Sequence, residues 1–114
     1  MIKLYGVPSC KKIRDSKALF ENNAIAFEFV NVKKTPISES QLREIVNLLG
    51  LSTVMNNKGP TFRKLGLKEM NLNDHDLFQW LLKEQGMINR PLIERNGKYL
   101  VGYDEQNILN FIKK

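Results

Sequence analysis

Residues 2–32 change their hydrophobic period twice, and this constrains the fold more than any other feature of the chain. Ile2-Lys-Leu-Tyr-Gly6 alternates as a short strand does and breaks at Gly6 and Pro8. From Lys11 to about Asn22 the spacing is helical, with Ile13 and Phe20 seven apart on one face and Ala18 and Leu19 beside it. Asn22-Asn23 is expected to end that helix, because asparagine tolerates the left-handed conformation used at helix ends. Residues 24–32, Ala-Ile-Ala-Phe-Glu-Phe-Val-Asn-Val, are rich in β-branched and aromatic side chains and read as a second strand. A helix between two strands is long enough to cross over and lay them parallel.

The middle of the chain is helical. Ser38-Glu-Ser-Gln41 is a capping box: the Ser38 hydroxyl can accept from the backbone of Gln41, whose side chain reaches back. Leu42, Ile45, Val46 and Leu49 then form one apolar stripe, closed by Gly50. Asn73 opens another helix, with Leu77, Trp80 and Leu81 as its expected stripe and Gly86 as its end. His75 falls in the first turn of that helix and reads as a solvated neighbour of the cap. Residues 51–66 read as irregular or short-helical, broken at Gly59-Pro60. In the last third, Pro91-Leu-Ile-Glu and Lys98-Tyr-Leu-Val flank Arg95-Asn96-Gly97, and Asn-Gly is a strong hairpin signal. Asp104 caps a final helix with Ile108, Phe111 and Ile112 on its apolar face. Strand–helix–strand, helices, hairpin and helix make one α/β domain of four strands over residues 1–114.

Composition narrows the function. No apolar run approaches the ~18 residues that span a bilayer, and Met1-Ile-Lys-Leu-Tyr5 lacks the apolar region of a signal peptide. The expectation is a cytoplasmic protein with no membrane partner. The net charge of +6 is spread along the chain, with no aromatic-interleaved basic strand or recognition helix, so direct nucleic-acid binding is not expected. One cysteine excludes an internal disulfide framework and a cysteine-cluster zinc site. With one histidine and no carboxylates at ligand spacing, no metal site is expected, and no bound cofactor.

That cysteine, Cys10, carries the chemistry. It stands where the loop after the first strand meets the helix, so its sulfur can face the unsatisfied N–H groups of the first turn and the positive end of the helix dipole. Lys11, Lys12 and Arg14 follow within four residues. Each influence favours the thiolate, which is the attacking form. The competing reading is a buried, inert thiol, the usual fate of a lone cysteine.

Tyr5-Gly-Val-Pro-Ser-Cys10, a helical middle, Asn89-Arg-Pro-Leu-Ile93 and Leu100-Val-Gly-Tyr-Asp-Glu105, in this order, resemble the arsenate reductase (ArsC)/Spx family. The resemblance implies a thioredoxin-like fold: a four-stranded mixed sheet with a helical insertion at about residues 38–86. It also implies a cis proline at Pro91 beside the active thiol. Arg90 matches an oxyanion-holding arginine of the glutathione- and glutaredoxin-dependent arsenate reductases. The second such arginine is replaced near Asn56-Asn57 by Lys58, the third by Gly102, and Gly6 stands where those enzymes often carry histidine. Lysine lacks the bidentate fork suited to oxyanions. The Spx branch, which binds RNA polymerase, senses oxidation through Cys-x-x-Cys; here Ile13 occupies the second position. The resemblance is greatest to the YffB-like branch, through Arg14 and Lys58-Gly-Pro-Thr-Phe-Arg-Lys-Leu65.

The expectation is a monothiol oxidoreductase with Cys10 as nucleophile, Arg14 and Lys11 supporting the thiolate, and Lys58, Arg90 and Pro91 binding an anion or glutathione. Its substrate would be a small oxyanion or a disulfide, and glutathione or a glutaredoxin would complete turnover. The alternatives are an Spx-like regulator that binds RNA polymerase and a genuine arsenate reductase with a reduced arginine set.

Overall fold

The computed structural model describes residues 1–113. In chain order the elements are β1 (Ile2–Gly6), α1 (Lys11–Asn22), β2 (Phe27–Asn31), α2 (Glu39–Leu49), α3 (Leu51–Val54), α4 (Pro60–Lys64), α5 (Leu67–Met70), α6 (Asp74–Lys83), β3 (Leu92–Arg95), β4 (Lys98–Val101) and α7 (Glu105–Lys113). They fall into two compact units: Met1–Thr35 together with the chain from Arg90 onward, and Pro36–Asn89. No helix among the described residues is long and apolar enough to cross a membrane.

The first unit is a four-stranded sheet in the order β2-β1-β3-β4. β1 and β2 are parallel, as a helical crossover requires, and β3 runs antiparallel to both β1 and β4. Leu4 is paired with Ile93, so both point to the same face. There they join Ile2 and the α1 and α7 residues Ile13, Leu19, Phe20, Ile108 and Ile112 in one buried cluster. Burying each such side chain stabilises the unit by roughly 1.5–3 kcal/mol. The hairpin turns on Asn96 (φ 53°) and Gly97 (φ 77°), the two left-handed residues of a type I′ turn. Asp104 Oδ1 accepts from the Asn107 N–H at 3.0 Å, which caps α7 as expected.

Two local expectations change. The left-handed residue after α1 is Ala24 (φ 55°), not an asparagine, and Asn23 has φ −104°. The Ile25 N–H reaches the Phe20 carbonyl at 2.9 Å and the Ala24 N–H reaches Glu21 at 3.1 Å, the paired bonds of a Schellman stop. That stop occupies the chain up to Ile25, so the second strand begins only at Phe27. Left-handed alanine costs ~1–2 kcal/mol, partly offset by the greater freedom of an unfolded glycine. Ala24→Gly should therefore raise stability by about 0.5–1 kcal/mol in urea denaturation, and a loss of stability would contradict this geometry.

In the second unit, Ser38 Oγ accepts from the Gln41 N–H at 3.2 Å, and Asn73 Oδ1 from the Asp76 N–H at 2.8 Å. Both caps stand where the sequence puts them. The inward face of α6 is carried by Phe78 and Leu81, whereas Leu77 and Trp80 are half-buried. Arg43 stacks on the Phe78 ring at 4.6 Å and Lys83 lies 5.4 Å from the Trp80 ring. α6 ends at Lys83 rather than Gly86, because Gln85–Met87 tightens into a 3-10 turn. That turn buries Gln85, whose amide accepts from the Ile37 N–H at 2.7 Å and donates to the Ile37 carbonyl at 2.8 Å.

Candidate functional site

A proline-led turn delivers the thiol. The Cys10 N–H donates to the Val7 carbonyl at 3.2 Å, with Pro8 and Ser9 as the exposed corner residues and buried Val7 as the anchor. Proline at the second place of such a turn is favoured because its φ is preset. Cys10 then caps α1 with extended backbone (φ −78°, ψ 128°), and its carbonyl accepts from the N–H groups of Ile13 and Arg14, both at 3.1 Å. Its side chain makes no capping hydrogen bond. An α-helix leaves its first N–H groups without intrahelical partners, so these remain available to an anion at this end. The cysteine is half-buried and packs against the β1–α1–α7 core. It is thus neither sealed in the core nor held out on a loose loop.

Behind the thiol the backbone is closely packed. A Cβ on Gly6 would stand 2.6 Å from Ile13 Cγ1 and nearer still to Ile13 Cδ1. Ile13 is fully buried, so a side chain at position 6 would force it to repack. A Cβ on Gly6 would also lie 3.7 Å from Arg90 Cγ, which puts the Arg90 stem over the end of β1, the strand leading to the thiol turn.

Arg14 reaches back from α1: its Nη1 donates to the Ser9 carbonyl at 3.1 Å, tying the guanidinium to the residue before the cysteine. Lys11 is engaged otherwise, its Nζ 2.9 Å from Asp15 Oδ2 one turn on. That pair is exposed and contributes little to stability. The Arg90–Pro91 peptide is cis, Pro91 is buried, and its carbonyl accepts from the Gly102 N–H at 3.0 Å. The first unit therefore holds Cys10, Arg14, Lys11, Arg90 and Pro91. Among the described residues no cluster of three or more metal-ligating side chains occurs.

A model described as the ArsC family matches residues 5–111. The chain belongs to the ArsC family. It is 34% identical over 110 residues to an arsenate reductase of Neisseria meningitidis, covering 94% of each chain. It is also 29% identical over 116 residues to the global transcriptional regulator Spx of Listeria monocytogenes, covering all of this chain and 88% of the regulator. A solved YffB protein superposes with a TM-score of 0.88 at 28% identity, over 96% of this chain and 97% of that one. The four-stranded mixed sheet is accordingly that of an ArsC-family protein.

Lys58, the remaining candidate, belongs to the second unit. Its N–H donates to Asn56 Oδ1 at 3.2 Å, and its carbonyl accepts from Arg63 Nη1 at 3.0 Å. Arg63 is thus a brace for the Lys58 loop. Gly59 leaves room for the Asn56 amide, which would stand 2.6 Å from a Cβ there. Tyr103 lies between β4 and α7. It packs against the same core as Cys10, and its phenol titrates above the ordinary value, through burial first and then the charges of Glu105 and Asp15, with Lys11 opposing. Its local sequence signals only the Glu105 part, because Asp15 and Lys11 come from α1.

Proposed function

We propose that this ArsC-family protein is a monothiol oxidoreductase of the glutathione-containing cytoplasm. The observation that supports it best is the pairing of a half-buried Cys10 at the α1 cap with a fully buried Ile13 three residues on. A thiolate so placed can attack, and the chain has no second thiol to resolve what it forms. In the simplest cycle the Cys10 thiolate attacks the glutathionyl sulfur of a mixed disulfide. The S–S bond breaks, the substrate leaves as a thiolate, and Cys10 carries glutathione. A second glutathione thiolate, or that of a glutaredoxin, attacks the same glutathionyl sulfur. This restores the Cys10 thiolate and releases oxidised glutathione when glutathione attacks, or a glutathionylated glutaredoxin when the glutaredoxin does.

Arg90 clamps a carboxylate of glutathione or a small oxyanion, with Pro91 flanking the bound tripeptide, because a guanidinium is a better anion clamp than an ammonium. Arg14 supports the thiolate from the Ser9 side. Lys11, neutralised by Asp15, has the smaller part.

Intact mass spectrometry after incubation with oxidised glutathione should show one glutathione per chain and none on the Cys10→Ser variant. Failure to form the adduct on a chain with a titratable free thiol would refute the mechanism. A parallel incubation with arsenate and glutathione reads oxyanion reduction: arsenate-dependent oxidation of glutathione identifies a reductase of oxyanions, and its absence identifies a disulfide reductase. Whole-length similarity to Spx supports a second reading, a regulator that binds RNA polymerase. Under that reading the Cys10→Ser variant still binds the polymerase.

A further inference from the structure

The edge of the sheet farthest from β2 carries a feature the thiol chemistry does not use. Between β4 and α7 lies a groove of about 460 Å³. Its apolar surface comes from Leu100 on β4 and Phe111 on α7, both half-buried. Asn107 and Asn110, three apart on α7, line one wall, and Arg95, Asn96 and Lys98 line the hairpin end. Cys10 takes no part in it.

Among the described residues, donors outnumber acceptors in this groove, and no carboxylate lines it. Arg95 is held in place by its Nη1 bond to the Phe111 carbonyl at 3.1 Å, which leaves its other N–H groups to donate. The Asn110 Oδ1 accepts from Gln106 at 3.2 Å, so the Asn110 amide N–H groups remain. Lys98 is exposed and adds a second full charge. The acidic groups of the same elements are turned away. Glu94 alternates to the opposite face of the sheet, where Tyr5 Oη donates to it at 2.8 Å, and Glu105 sits in the first turn of α7, at the other end from Phe111.

We propose that this groove binds a small anion with a flat apolar body, such as an aromatic carboxylate or sulfonate. The body lies against Leu100 and Phe111, and the anionic group meets Arg95 and Lys98. The volume falls in the usual range for small-ligand sites, ~300–1,000 Å³. β4 is an edge strand, but it has only four residues and carries Lys98, features that discourage pairing with another strand.

The test uses the full chain and two probes that share a body: 1-anilinonaphthalene-8-sulfonate and the uncharged N-phenyl-1-naphthylamine. The sulfonate should bind one per chain and shift the amide resonances of residues 98–100 and 107–111. Lys98→Glu, an exposed change whose fold is checked by circular dichroism, should weaken it by about tenfold or more, and the uncharged probe should bind about tenfold more weakly than the sulfonate. Equal affinity for the two probes, indifference to Lys98→Glu, or shifts confined to other residues would overturn the proposal. A dimer in sedimentation that shifts the same residues without probe would also overturn it, by making a second copy of the chain the occupant.

Discussion

An Ile13→Cys chain incubated with oxidised glutathione should finish as an internal disulfide, two hydrogens lighter than the reduced chain, in place of a stable glutathione adduct. Residues three apart in a helical turn have Cα atoms about 5 Å apart, inside the ~4.4–6.8 Å that a disulfide spans. The turn here is closed, since the Ile13 N–H donates to the Cys10 carbonyl at 3.1 Å. Once Cys10 carries glutathione, the introduced thiolate attacks the Cys10 sulfur, and glutathione leaves as its thiolate. The adduct yield should fall by about tenfold or more relative to the parent chain, a shift of at least ~1.4 kcal/mol toward the closed form. The change also removes packing volume at a fully buried position over Gly6. Between the costs of trimming isoleucine to valine and to alanine, a loss of about 2 kcal/mol of stability is expected. A variant that folds, has two titratable thiols and still keeps glutathione as firmly as the parent would show that position 13 is out of reach of Cys10. That outcome would remove the reason to call the parent chain a monothiol protein by design of its fold.

Gln85→Ala should be the most destabilising change in the second unit, by about 3 kcal/mol. The Gln85 side chain is buried and satisfies both the N–H and the carbonyl of Ile37, and it also donates to the Leu82 carbonyl at 3.2 Å. Alanine leaves the two Ile37 groups unpaired, at about 1–3 kcal/mol for each buried group that finds no other partner. For a protein of ordinary stability, about 5–15 kcal/mol, this is a substantial fraction. Urea denaturation should show a lower midpoint with an unchanged slope. Gln85→Leu keeps the volume but not the bonds and should lose nearly as much, which separates hydrogen bonding from packing. A loss below about 1 kcal/mol in both variants would mean that water replaces the amide at Ile37.

The two predictions differ in how much of their basis could be read in advance. The isoleucine at Cys10+3 is visible in the sequence, and so is the lack of a second thiol. Gln85 is not: its partner Ile37 lies 48 residues away, and a glutamine beside a glycine reads as an exposed helix end. The same division runs through the site. The turn that presents Cys10, the hairpin at Asn96-Gly97 and the caps at Ser38, Asn73 and Asp104 were legible because each depends on residues within about four positions of one another. The place where α1 ends, at Asn22-Asn23, was legible, but not the residue that makes the stop: asparagine is only the commoner non-glycine choice at a left-handed position, and Ala24 takes it here. The stripe of α6 misled because an apolar run offers neighbouring faces, and only packing selects Phe78 over Trp80.

By itself, the sequence determined the kinds of element, their order, the caps and turns between them, and the presence of one thiol at a helix start. These follow from backbone sterics and short-range hydrogen bonds. The tertiary structure alone decided that Cys10 is half-buried, that Ile13 fills the space over Gly6, that the Arg90 stem lies over the end of the thiol-bearing strand, and that Lys58 is braced by Arg63. Each of these is set by close packing or side-chain reach between segments, and close packing is a property of volumes brought together by the whole chain.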